Sequence, residues 1–243
     1  MNEPEQLQPR WYSQAQSVVG HVRKINEDAF LDAPELGLWV VADGMGGHSR
    51  GDRASQSIIA RLASFTPSDS HETDAENIAE RLDDANDFCR QHVRGKVMGS
   101  TVALMYIRDE HAYAIWAGDS RIYRLRNNEL MQITEDHSLV QELARLGDLT
   151  EEEAEDHPSS NVITRAVGVA DKLDLQIRKM ELQVGDRFLL CSDGAFKDVK
   201  KHEVAANLSL PSSEQALDKI VQLALRRGGT DNITAIVVQL STI

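Results

Sequence analysis

Three times in this sequence an apolar run ends in a small residue followed by Asp and then Gly or Ser. LWVVA leads into Asp43-Gly44, AYAIWAG into Asp119-Ser120, and FLLCS into Asp193-Gly194. A fourth carboxylate, Asp231, lies in GGTDN just before ITAIVVQL. One Asp-Gly after a strand is ordinarily only a turn; the shared context argues for a common rim. Carboxylates gathered without a cation repel one another and take up protons, so a group of them points to divalent metal as counter-charge. Oxygen-only ligation favours magnesium or manganese over zinc. The histidines agree, since no two of His21, His48, His71, His92, His111, His137, His157 and His202 lie within five residues of each other. The run GHVRKINED adds Arg23, Glu27 and Asp28. A guanidinium suits a bidentate grip on phosphate, and the two acids suit a metal or its waters. Taken alone, that run reads as a solvated charged loop rather than a site, because surface charge clusters are common.

Positioning four acids at one rim requires central strands that end together. Strand-like runs fall at Trp11 to Gly20, Leu38 to Ala42, Val102 to Ile107, His111 to Ala117, Arg121 to Leu125, Leu173 to Met180, Arg187 to Cys191 and Ile233 to Leu240. The pair Thr101 to Arg108 and His111 to Ala117 turns across Asp109 and Glu110, which argues for antiparallel pairing over a βαβ series. Amphipathic helices are expected from Gly51 to Phe65 and from Asp74 to Val93, the latter carrying Ile78, Leu82, Ala85, Cys89 and Val93 on one face. A last helix starts at the Ser212 and Gln215 capping pattern and stops at Gly228 and Gly229. Between strands, Asp136 to Pro158 is expected to hold a short helix with Leu139, Leu143 and Leu146, then an acidic helix opened by a Thr150 and Glu153 capping box. No repeat, low-complexity tract or linker divides the chain, so residues 1–243 are expected to form one domain.

With 243 residues, such a chain buries roughly 70 to 75 per cent of its unfolded surface and needs no disulfide staples. Its 26 Lys and Arg against 39 Asp and Glu leave a net charge of −13, which disfavours nucleic acid and anionic lipid as partners. The longest apolar runs, Val102 to Ile107 and Ala112 to Ala117, are six residues each, far short of the roughly 20 a membrane helix needs. The polar, acidic start lacks the features of a secretory signal, and two cysteines form no framework, so a cytoplasmic location is expected.

Two nucleophile chemistries are disfavoured. Gly47-His48-Ser49-Arg50-Gly51 matches a nucleophile-elbow pattern, but five residues separate its Ser from the expected strand end near Asp43, and no His follows His202 to close a triad after Asp231. A cysteine phosphatase needs His before Cys and Arg six residues on. Cys191 follows Leu190 and precedes Lys197 at that spacing, and Cys89 follows Phe88 and precedes Gly95; both are expected in the core.

RKINED at 23–28, ADGMGGH at 42–48, GST at 99–101, GDSRIY at 118–123, TEDHS at 134–138, HPSSNVITRAVG at 157–168, CSDG at 191–194 and GGTDNITAIVV at 228–238 together resemble the ordered motifs of bacterial metal-dependent protein phosphatases of the 2C type. The resemblance implies an α+β fold of two packed, mostly antiparallel β-sheets flanked by helices, with a flap at about 135–168. It implies a serine/threonine phosphatase using a metal-activated hydroxide at two manganese or magnesium ions, with a third, weaker site. By that resemblance Asp43, Asp193 and Asp231 are the catalytic ligands, joined by the Gly44 carbonyl. Asp119 serves the third site, Arg23 anchors the substrate phosphate, and Glu27, Asp28 and Asn232 stand behind the ligands. Phosphoproteins would be substrates, with a Ser/Thr kinase or forkhead-associated protein, and type VI secretion regulators, among the associations. The alternative is a phosphatase-like binding module without catalysis, whose mark would be lost metal-binding Asp residues; here all are present. Two positions depart from the family pattern. Met45 stands where eukaryotic members carry a proton-donating His, leaving His48 or metal-bound water as donor, and Ser160 replaces an Arg of the flap motif.

Overall fold

The computed structural model describes residues 10–46, 50–92, 97–150, 153 and 157–241. Eleven strands are formed among them: β1 (Arg10–Val18), β2 (Asp28–Ala33), β3 (Leu38–Met45), β4 (Gly99–Ser100), β5 (Val102–Arg108), β6 (His111–Ala117), β7 (Arg121–Arg126), β8 (Glu129–Gln132), β9 (Gln176–Glu181), β10 (Arg187–Cys191) and β11 (Ile233–Ser241). The helices are α1 (Gly51–Leu62), α2 (His71–Gln91), α3 (Leu139–Leu146), α4 (Asp193–Phe196), α5 (Lys201–Leu208) and α6 (Ser213–Arg226).

Two antiparallel sheets result. One runs β1-β11-β10-β7-β8 and the other β2-β3-β5-β6-β9, with β4 pairing onto β3. Central strands are buried on both faces, which is why they appear as unbroken apolar runs. On β3, Trp39 and Val41 point into the layer between the sheets with Phe188, Leu190, Ile236 and Val238. Leu38, Val40 and Ala42 point the other way, onto Ala54, Ile58 and Leu62 of α1 and Ile78 and Leu82 of α2. The second outer layer packs Ala216, Ile220 and Val221 of α6 and Val204 of α5 on Leu189, Cys191, Ala235 and Val237. The order is helix, sheet, sheet, helix, with three apolar interfaces.

Most expected elements form, with shifted ends. The helix expected from Asp74 begins at His71, capped by the Ser70 hydroxyl accepting from the Thr73 N–H at 3.4 Å. Asp74 is fully buried inside it, accepting from Tyr106 at 2.5 Å and Arg108 at 2.7 Å, so its charge is paired rather than solvated. The strand expected from Leu173 begins only at Gln176, because Leu173 leaves the sheet to fill the layer under α1 and α2. β8, half exposed, and α4, a single turn, carry no periodicity long enough to detect. The Thr150 and Glu153 capping box is made in both directions, at 2.8 and 3.2 Å, whereas most of the helix expected after it lies outside the described residues, as do Val93 and His48.

Candidate functional site

The acids meet because strand ends converge. Asp28 opens β2 and lies directly across from Asp43 on β3. Asp119 follows β6 after Gly118, whose φ of 113° lets the chain leave the strand sharply. Asp193 begins α4 immediately after β10, and Asp231 precedes β11. Gly44 is required by crowding: a Cβ there would stand 2.2 Å from the Gly51 carbonyl oxygen and 2.5 Å from that of Glu27. That close approach seats the start of α1 on the end of β3.

Backbone and hydroxyl bonds hold the acids. The Asp43 N–H donates to the Thr101 hydroxyl at 3.1 Å, the Thr101 N–H donates back to the Asp43 carbonyl at 2.9 Å, and the hydroxyls of Thr101 and Ser120 lie 2.7 Å apart. The Ser192 hydroxyl donates to Asp28 Oδ2 at 2.8 Å. Asn232 is the anchor of the Arg23 to Asp28 loop: its Oδ1 accepts from the Glu27 N–H at 2.8 Å, and its Nδ2 donates to the carbonyls of Val19 and Ile25, both at 3.0 Å. Glu27 turns one carboxylate oxygen to the Gly51 N–H at 3.2 Å, at the start of α1. Arg23 is half exposed and donates through Nη2 to Asp231 Oδ2 at 2.6 Å.

The electrostatics are those of crowded anions. Burial, reinforced by Asp28, Asp193, Asp119 and Asp231, holds the Asp43 carboxyl well above the usual carboxylate range. Burial, with Asp193 and Asp231, pushes Asp28 up to about 6, and burial, with Asp193 and Asp136, pushes Asp119 up to about 7. Asp193 is raised by burial and by Asp231, and lowered in part by Lys197. Asp28 Oδ1 and Asp193 Oδ1 are buried and have no hydrogen-bond partner among the described residues. Among the described residues no three His, Cys, Asp or Glu side chains group tightly enough to enclose one ion by themselves. The donors are all oxygens, two of them orphaned, set apart around a common space. That suits magnesium or manganese, which keep several waters.

Other residues act here that sequence reasoning did not single out. Arg121 forks onto Asp136 at 2.7 to 3.0 Å, bonds the Tyr123 hydroxyl at 2.9 Å and stacks 3.8 Å over Phe196, joining β7, the flap base and α4. The only advance signal was its place inside GDSRIY. Lys197, one turn beyond Asp193, donates to Asn161 of the flap at 2.7 Å. From Asp119 and Asp193 a cleft of about 700 Å³ opens between the flap and α4–α5. Both cysteines are buried, and burial pushes their thiols up, Cys89 to about 11 and Cys191 to about 12, which removes thiolate chemistry.

The comparisons with known proteins agree on one family. The model of the family described as protein phosphatase 2C matches residues 20–234. The serine/threonine protein phosphatase PstP of Mycobacterium tuberculosis is 36% identical over 231 residues, which cover 92% of this chain and 44% of that protein. This chain thus spans under half the length of that relative. The structure of PppA, "a key regulatory component of T6SS in Pseudomonas aeruginosa", superposes with a TM-score of 0.88 at 44% identity, covering 95% of this chain and 98% of that one. The catalytic domain of PstP in complex with two manganese ions superposes with a TM-score of 0.85 at 31% identity, covering 96% and 99%.

Proposed function

The chain belongs to the protein phosphatase 2C family, and from that premise we propose that it is a metal-dependent protein serine/threonine phosphatase, hydrolysing phosphoserine and phosphothreonine monoesters. The observation that carries this reading is the set of carboxylates around Asp43, where burial and neighbouring anions hold Asp28, Asp43, Asp119 and Asp193 above the usual range, with oxygens on Asp28 and Asp193 that have no partner among the described residues. Without a cation such a set repels itself and takes up protons, and divalent counter-charge relieves both.

Asp43, Asp193, Asp231 and the Gly44 carbonyl are the groups that would hold two manganese or magnesium ions, and Asp119, which shares a wall with Asp193, would serve a third. Bound there, the ions supply Lewis acidity toward a phosphoryl oxygen and a water acidified toward neutral pH. Asp28, held by the Ser192 hydroxyl, and Glu27, held by the Gly51 N–H, would orient solvent beside those ligands. Asn232, by three hydrogen bonds, keeps the loop carrying Arg23 and Glu27 at the correct height. Arg23 engages Asp231 through Nη2, and among the described residues its other N–H groups make no further bond, so they would orient the substrate phosphate. Water displaces the serine or threonine oxygen in line, without a covalent enzyme intermediate. Met45 cannot donate the proton that the leaving alkoxide needs.

Its substrates are phosphoproteins in a kinase-opposed signalling system of the cytoplasm; a Ser/Thr kinase or forkhead-associated protein is the expected partner. The similarity to PppA favours type VI secretion as the setting. No helix among the described residues is long and apolar enough to cross a membrane.

The test is hydrolysis of p-nitrophenyl phosphate and a phosphothreonine peptide with and without manganese. Wild type is expected to turn both over, EDTA to stop it, and Asp43→Asn to lower kcat by about 10³-fold, several kcal/mol of lost charge stabilisation. No turnover with any divalent metal would favour the non-catalytic binding module.

A further inference from the structure

The cleft leading from Asp119 and Asp193 has a wall whose charge is opposite to that of the rest of the molecule. In a chain of net charge −13, that wall carries Lys197, Lys200 and Lys201. The ion pairs among the described residues engage Arg23, Arg90, Arg108, Arg121, Arg126, Arg165, Arg227 and Lys179, and none of these three lysines. The acids that would neutralise them are otherwise committed. Asp136 is held by Arg121, and Glu203 turns its carboxylate to Arg227 and to the Lys200 N–H. Asp119 and Asp193 line the acid-cluster end of the cleft, where Lys197 partly offsets Asp193, and beyond them Glu135 and Asp198 are the acids left beside the three ammonium groups.

The placement also breaks a local rule. Lys200 and Lys201 stand at the N-cap and first position of α5, where the helix dipole is positive and Ser, Asp or Asn is preferred. Violations of that kind are expected where function overrides stability. Lys197 adds register. It lies one helical turn from Asp193, on the same face, and its bond to Asn161 ties the wall to the flap, so the groove has two sides. One turn is about 5.4 Å, the span of about two residues of extended peptide. A chain whose phosphoresidue sits at Asp193 therefore passes its flanking side chains along these ammonium groups.

Resting on the phosphatase reading, we propose that the cleft between the flap and α4–α5 is a subsite for the acidic flank of a phosphopeptide, read by Lys197, Lys200 and Lys201. Clustered cations beside a site for phosphate monoesters favour substrates with Asp or Glu near the phosphoresidue and reject those with Lys or Arg.

The manganese-loaded protein is given matched phosphothreonine peptides with Asp/Glu, Ala or Lys flanks, together with p-nitrophenyl phosphate. Wild type is expected to show a kcat/KM at least about tenfold higher on the acidic than on the lysine-flanked peptide, the margin shrinking as NaCl rises from about 0.05 to 0.5 M. The Lys200→Glu/Lys201→Glu double variant, and Lys197→Glu separately, are expected to lower that ratio about tenfold. Lys219→Glu, the same charge change on α6 outside the cleft, leaves the ratio where it was. Equal use of all three peptides by wild type, or an unchanged ratio in the Lys200/Lys201 variant, overturns the subsite while p-nitrophenyl phosphate turnover keeps the phosphatase reading. Failure of wild type on p-nitrophenyl phosphate with every divalent metal overturns both.

Discussion

Asn232 illustrates how much of this site is a matter of single side chains. Its amide satisfies one N–H and two carbonyls of the loop between β1 and β2, and no other residue type offers that donor and acceptor combination at this length. Truncation strands all three backbone groups. Asn232→Ala is therefore expected to cost about 2–3 kcal/mol in urea unfolding and to lower kcat, since Arg23 and Glu27 lose their fixed height. A cost under about 0.5 kcal/mol would show that the loop is held by other means. The Ser192 and Thr101 hydroxyls do comparable work for Asp28 and Asp43, each supplying one partner to an acid or its backbone and leaving further lone pairs for ligands.

Secondary-structure elements deliver the acids, and the flap borders the cleft that leads to Asp119 and Asp193. The flap is tied down by the His137 N–H on the Gly118 carbonyl at 3.0 Å, the Leu139 N–H on the Val162 carbonyl at 2.9 Å and the Thr164 N–H on the His137 carbonyl at 2.8 Å. α3 within it buries only Val140, leaving Leu139 and Leu146 exposed. So little burial makes α3 replaceable without loss of the sheets beneath it. Exchanging Leu139 to Leu146 for the corresponding segment of a relative is expected to change relative kcat/KM among phosphopeptides more than turnover of p-nitrophenyl phosphate. Equal losses on both would mean that α3 supports the acid cluster rather than substrate choice.

At the scale of the whole molecule, the acid cluster is a cost of folding that grows as pH rises and that bound divalent metal would offset. Asp28 and Asp119 have folded-state pKa values near 6 and 7, above the usual value near 4. Between those limits the folded state binds more protons than the unfolded one, so stability falls as pH rises. The contribution is fully present below about pH 4 and is lost as pH passes through about 6 to 7. Metal-free protein is accordingly expected to melt several degrees lower at pH 8 than at pH 5.5, and manganese to remove most of that difference. A thermal-shift series in EDTA in which the melting temperature climbs steadily to pH 8 would contradict this.

Much of this was legible in the linear chain because two-sided burial writes itself as apolar runs and solvent-facing helices as 3.6-residue periods. β3, β6, β10 and β11 carried both the runs and the acids at their ends, and the ordered motifs from RKINED to GGTDNITAIVV named the family. What the chain could not show is which atoms face which. That Asp28 belongs to a strand opposite Asp43, that Asn232 anchors a loop more than 200 residues earlier in sequence, and that Arg23 leans on Asp231 depend on pairings across the two sheets. The same holds for the lysine wall: Lys197, Lys200 and Lys201 look like an ordinary solvated run until the fold sets Asn161 of the flap against Lys197 and makes that exposed face one side of a cleft. Local pattern specifies an element and its buried face, whereas the distance between two side chains is decided only when the layers pack.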